Sequence, residues 1–177
     1  MIETERLVLR RWRGADCAPF AAINADPQVA YWLGGAIDRP RGDAAIDRYN
    51  ACITAHGFGR WAVERRGDGA LIGAVGVMPV MGAYPFGGFE LGWRLARAAW
   101  GQGYATEAAR AALAHGLERI GLDEIIAFTS DQNLRSIGVM QRIGMVPDPS
   151  RDFDHPALAA DHPLRRHLVY AARKGQA

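Results

Sequence analysis

The chain has 177 residues, enough for one domain with a substantial core, and its 49% hydrophobic and 23% charged content is that of a globular protein. The formal net charge is only +2, and the basic residues, all Arg except Lys174, are scattered among acids, so no nucleic-acid-binding patch is implied. No apolar run is long enough to span a bilayer, no signal-peptide core opens the chain, and Cys17 and Cys52 lack the spacing of a metal site or redox pair; the expected compartment is the cytoplasm.

Residues Glu5 to Trp12 alternate in character and predict a first strand, placed at a sheet edge by its arginines. Gly14-Ala15-Asp16 opens a helix with Asp16 as its expected cap and Phe20, Ala21 and Ile23 facing inward. Asp26-Pro27 starts a second helix, since Asp suits the cap and Pro the first helical position; Gly34-Gly35 ends it. A third runs from Asp38 to Ala55 on the stripe Ala45, Ile46, Tyr49 and Ile53, and stops at His56-Gly57.

The pattern then shifts to strands. Phe58 to Glu64 and Ala70 to Met78 flank the hairpin signal Arg66-Gly67-Asp68-Gly69, and a Gly/Pro loop, Pro79 to Gly88, leads to a third strand, Phe89 to Leu95. Gly92 within that strand predicts a bulge or a close backbone approach. A helix follows Gly103 to about Ile120, burying Ala105, Ala108, Ala109, Ala112, Leu113 and Leu117. Glu124 to Thr129 is a strand, Gln132 to Ile143 a helix stopped by Gly144, Met145-Val146 another strand, and Leu168 to Ala171 the last. This order predicts a single mixed α/β domain, 1–177, with one central sheet of about six to seven strands, in which strands 89–95 and 124–129 are parallel neighbours.

Between the 89–95 strand and its helix lies Trp100-Gly101-Gln102-Gly103-Tyr104-Ala105-Thr106-Glu107-Ala108. Its glycines serve either a tight strand-to-helix turn or a close approach to a phosphate at the helix N-terminus, and a lone G-x-G does not choose between them. Other phosphate and nucleophile motifs are missing. Lys174 cannot supply a Walker A loop, no G-x-S-x-G surrounds Ser130, Ser136 or Ser150, and no H-E-x-x-H occurs, so no metal is expected.

With these elements in order, the sequence resembles the GNAT superfamily of N-acetyltransferases, and within it the branch of ribosomal-protein N-terminal acetyltransferases. The acetyl-CoA motif [Gln/Arg]-x-x-Gly-x-[Gly/Ala] falls on Trp100 to Ala105, with Trp100 departing at the first position; Asn133-Leu134-Arg135-Ser136 through Ile143-Gly144-Met145 and Thr4 to Arg10 match further signatures. The resemblance implies acetyl-CoA as co-substrate, an amine acceptor (a peptide N-terminus or small molecule), and direct transfer in a ternary complex; dimers are frequent among such proteins. It places the CoA pyrophosphate on Gly101, Gln102, Gly103, Tyr104, Ala105 and Thr106, with Trp100 beside them. It places the pantetheine arm on the backbone of Trp93 and Leu95, in a gap opened by a bulge near Gly92, with Asn133 at hand. Glu90 becomes the candidate general base, with a pair to Arg94 as the structural alternative. Ser136 becomes the candidate for the CoA sulfur, because many relatives carry a Tyr where this chain has Met140. Glu107 reads as structural, satisfying the loop or meeting Arg110. Tyr31, Trp32, Tyr84 and Phe86 fall in segments that wall the acceptor pocket in relatives; Phe153, His155 and His167 are weaker candidates. Two other readings stay open: a CoA-binding module without catalysis, and, far behind, a dinucleotide-binding oxidoreductase, which Thr106 disfavours by replacing the third glycine.

Overall fold

The computed structural model describes residues 1–175. One open sheet runs through the molecule in the order β1 (Ile2–Glu3), β2 (Leu7–Arg10), β3 (Arg60–Arg65), β4 (Leu71–Pro79), β5 (Phe89–Leu95), β6 (Glu124–Ser130), β9 (Arg166–Arg173) and β7 (Val146–Pro147), with β8 (Phe153–Asp154) also pairing β9. Six of these strands have four residues or more, in line with the expected count. The expected meander β3–β4–β5 is antiparallel throughout, and β5 and β6 are parallel, joined by the crossover helix α4 (Tyr104–Ala114) and a wider helical turn, His115–Ile120.

The helices α1 (Cys17–Ala25), α2 (Pro27–Tyr31) and α3 (Arg39–His56) fill the connection from β2 to β3. Asp26 caps α2 through the N–H groups of Gln28 and Val29, Asp38 caps α3 through Arg41, and Gly57 closes α3 in the left-handed conformation at φ 74°. The last helix, α5 (Leu134–Arg142), takes Asn133 as its cap. Leu7, Leu9, Phe20, Val63, Val75, Leu91, Ala108, Ala109, Ile125 and Met140 are essentially inaccessible at the centre of the core. The alanines of α4 let that helix sit close against β4 and β5. No helix among the described residues is long and apolar enough to cross a membrane.

Three local expectations are overturned. The first long strand, β2, is not at the edge, because the two-residue β1 pairs along its outer side. Asp16 does not cap α1; its carboxylate takes a forked bond from Arg10 (2.7 and 2.8 Å) and the Arg13 N–H, since the buried guanidinium needs a counter-charge more than the helix end needs an acceptor. Nor is there a bulge at Gly92: the β4–β5 register runs unbroken from Gly73–Leu95 to Pro79–Phe89, and the irregularity falls in β3 between Val63 and Glu64.

Gly92 instead makes room for a side chain. Arg60, Gly76 and Gly92 stand opposite one another across β3, β4 and β5, and a Cβ at position 92 would lie 2.1 Å from Arg60 Nη2. The row of two bare positions lets the arginine lie across the sheet.

Candidate active site

The sheet opens where β5 and β6 part. A single residue pair, Glu90–Ile126, joins them, and beyond it the strands diverge around a cleft of about 900 Å³. Three groups of residues form this cleft: a loop at one end, a slot between the strands, and a charged chamber around Glu90.

The loop begins where β5 ends. The Trp100 indole N–H donates to the Leu95 carbonyl (2.9 Å), so the bulky residue at the irregular motif position pins the loop to the strand. The guanidinium groups of Arg97 and Arg135 lie 5.1 and 5.0 Å from its ring. Gly101 and Gly103 take φ 74° and 81°, backbone that a side chain would strain, and the space beside Gly101 is open. The first bond closing α4 runs from the Glu107 N–H to the Gly103 carbonyl (3.0 Å), leaving the N–H groups of Tyr104, Ala105 and Thr106 at the helix mouth. Arg142 donates to the Thr106 hydroxyl (3.3 Å). Gln102 is the exception among the loop candidates: its side chain turns back to the Ala98 carbonyl (2.8 Å) and does not line the cleft.

A brace holds the loop from behind. Of its two expected roles Glu107 takes the one at the loop and does not meet Arg110, which bonds the Arg142 carbonyl instead. It accepts from the Thr4 hydroxyl (2.6 Å), the Arg6 N–H (2.9 Å) and Arg6 Nε (2.7 Å), while Arg6 Nη1 reaches the Gln102 carbonyl (2.9 Å) and the guanidinium stacks on Tyr104. Two motifs about a hundred residues apart thus form one unit.

In the slot, Trp93 and Leu95 line the cleft. The Trp93 indole N–H donates to Ser136 Oγ (3.3 Å), and Asn133 accepts from the Ser136 N–H while donating to the Thr129 hydroxyl (3.1 Å). Met140 is buried in the core and does not line the cleft.

Glu90 lines the chamber, but its partner is not Arg94. Arg60 Nη2 donates to Glu90 Oε1 (3.0 Å) across the bare Gly92. Arg94 donates to Asn24 Oδ1 (2.6 Å) and packs over Phe20 at 5.5 Å. Burial lowers the Arg94 pKa; for Arg60 burial also pulls down, and the charge of Glu90 reverses the balance upward. The Nε atoms of both arginines, and Asn24 Nδ2, are buried without a hydrogen-bond partner among the described residues.

Trp32 and Tyr84 line the cleft as expected. Tyr31 and Phe86 do not: Tyr31 is exposed on α2 beside Trp32, and Phe86 packs on Tyr84, Phe128 and Phe153 in a satellite aromatic cluster. His155 and His167 line the cleft beside Tyr84, with ring centres 5.0 Å apart, and Tyr84 Oη lies 3.3 Å from His155 Nε2. Burial pushes both imidazoles below their usual 6.5, keeping them neutral at neutral pH. Reading the sequence missed Arg41, Arg60, Asn24 and Arg135. Arg60 alone left a trace there, as a charge within the apolar run Phe58 to Val63.

Fold and cleft together define an α/β protein with a split mixed sheet and a helix N-terminus opening into the split. The chain belongs to the GNAT acetyltransferase family: the family description "Acetyltransferase (GNAT) domain" matches residues 6–146. The Bacillus subtilis protein YkkB is 30% identical over 150 residues, covering 80% of this chain and 83% of its own. An acetyltransferase structure from Agrobacterium tumefaciens is 30% identical, with TM-score 0.78 over 97% of this chain and 93% of that one. A spermidine N-acetyltransferase from Vibrio cholerae, solved with CoA and spermine, shares the fold at TM-score 0.74 and 16% identity, over 98% of each chain.

Proposed function

We propose that this protein transfers an acetyl group from acetyl-CoA to a primary amine, directly within a ternary complex, with 1–177 forming a single N-acetyltransferase domain. The observation that carries this reading is the arrangement at the loop. Left-handed Gly101 and Gly103, free N–H groups at the mouth of α4, and the nearby guanidinium groups of Arg135 and Arg142 fit a pyrophosphate. The slot between β5 and β6 leads from there to Glu90.

Acetyl-CoA, when bound, supplies a thioester carbonyl open to attack by nitrogen. Glu90 accepts the proton that the amine gives up as its N–C bond forms, directly or through one water. Ser136, with its hydroxyl oriented by the Trp93 indole, donates a hydrogen bond to the sulfur as the C–S bond breaks, and the released thiolate takes its proton from solvent. Asn133 holds Ser136 in place through the cap of α5, and the backbone of Trp93 and Leu95 lines the pantetheine slot. Trp32 and Tyr84 shape the acceptor chamber. Neither Cys17 nor Cys52 lines the cleft, which favours direct transfer over an acyl-cysteine route.

Thiol release from acetyl-CoA against a panel of amines and peptides tests the reading. Glu90→Gln is expected to lower kcat on the order of a hundredfold with little change in KM for acetyl-CoA. A Glu90→Gln enzyme with the parent pH profile would remove Glu90 from the chemistry. CoA binding with no turnover on any amine would leave a binding module.

A further inference from the structure

The chamber around Glu90 has an excess of positive charge that its catalytic role does not require. Among the described residues lining the cleft, Glu90 is the one carboxylate, while Arg41, Arg60 and Arg94 stand at the same end. A side recess of about 220 Å³ opens beyond, sharing Arg41 and Arg94 with the main cleft and adding Arg48 and Tyr49; no carboxylate lines it. The acids of α3 do not make up the difference, since Asp43 is turned to Arg39 (2.7 Å) and neither it nor Asp47 reaches the recess.

These arginines are also short of partners. Arg60 shares Glu90, and Arg94 has only the neutral Asn24 as acceptor, although a guanidinium offers five N–H donors. Both keep an unpartnered buried Nε, and Asn24 keeps an unpartnered buried amide nitrogen beside Arg94. Two half-buried guanidinium groups against one carboxylate favour an anion that completes the set.

From this we infer that the acceptor is an amine that carries its own carboxylate, bound at Arg94 and Arg41 with the amino group directed to Glu90. The inference rests on the acetyltransferase reading above and narrows its substrate class. It excludes polyamines, whose second and third cationic groups would face Arg94, Arg41 and Arg48 with no acid to meet them. An amine bearing only uncharged groups would leave the excess positive charge unanswered.

The test uses the full chain with acetyl-CoA and paired acceptors: amino acids with free carboxylates against their amides, an aminoalkyl phosphate, and spermidine. The free acids are expected to exceed their amides in kcat/KM by about tenfold or more, the difference residing mainly in KM, and spermidine to be the poorest acceptor. Arg94→Gln should collapse the acid-to-amide ratio towards one. Because Arg94 also packs on Phe20 and bonds Asn24 inside the fold, the exposed Arg41→Gln is its companion, expected to narrow the same ratio in a protein of parental melting temperature. Equal turnover of acids and amides overturns the inference, as does preference for spermidine or for the phosphate. A CoA-binding enzyme that acetylates no carboxylate-bearing amine also overturns it. Absence of CoA binding would instead remove the acetyltransferase reading beneath it.

Discussion

Glycine 92 governs the chamber by what it lacks. The Arg60 guanidinium crosses the sheet over Gly76 and Gly92 to reach Glu90, and nothing larger than hydrogen fits beneath it. Gly92→Ala is therefore expected to displace the guanidinium, shift Glu90 and lower kcat about tenfold to a hundredfold, with KM for acetyl-CoA nearly unchanged. Parental kcat in this variant would show that the Arg60–Glu90 geometry is immaterial to turnover. The histidine pair yields a second residue-scale expectation. Both imidazoles lie below 6.5 when folded, so as pH falls through 6.5 the unfolded chain takes up protons before the folded one does. The stability they contribute is present above that pH and is lost on acidification. The melting temperature should fall between about pH 7 and pH 5, and less steeply in His167→Gln; equal slopes would count against buried neutral imidazoles.

The cofactor loop is held as an element together with the N-terminal turn. Thr4 and Arg6 grip Glu107 and the Gln102 carbonyl from behind, so the loop's shape depends on residues that never face the cleft. Arg6→Ala removes bonds that are partly exposed and worth on the order of 1 kcal/mol, and should raise KM for acetyl-CoA about threefold to tenfold while leaving kcat within about twofold. A change in kcat alone would contradict the brace. This level also marks how far the sequence could be read. The meander was legible because Arg66-Gly67-Asp68-Gly69 separates two apolar runs, and α4 because its alanines recur at helical spacing. The two-residue strands β1 and β8 are too short to carry a period, while β7, expected from Met145, begins at Val146. The Arg60–Gly76–Gly92 row runs perpendicular to the chain, so it exists only once register is fixed. For the same reason Glu90 was legible as a charge in an apolar strand, while its partner was not. Tyr31 and Phe86 show the converse: their segments were placed near the site, but which way each ring turned depended on packing against Trp32 and Phe153.

At the scale of the whole molecule, the cleft divides the sheet into a β1–β5 part and a β6–β9 part, bridged by one residue pair and by α4. A ligand lying in the gap touches both parts and stabilises only the folded form. CoA at a hundred times its Kd should add about 2.7 kcal/mol and raise the melting temperature by roughly 5–10 °C for a chain of this length. No shift at saturating CoA would refute a site between the two parts. The split also gives the sheet four rims where an unbroken one has two. The outer pair is blunted by the two-residue β1 and β7, while the inner pair, beyond Glu90 and Ile126, faces across the gap. Unpaired strand rims invite other chains, and these two face a shared cleft. Under the proposed reading, the carrier's own amides take the place of a missing strand, so the protein recognises its acetyl donor partly as backbone. An acetyl thioester of a plain alkyl thiol, however reactive, has no such backbone to offer.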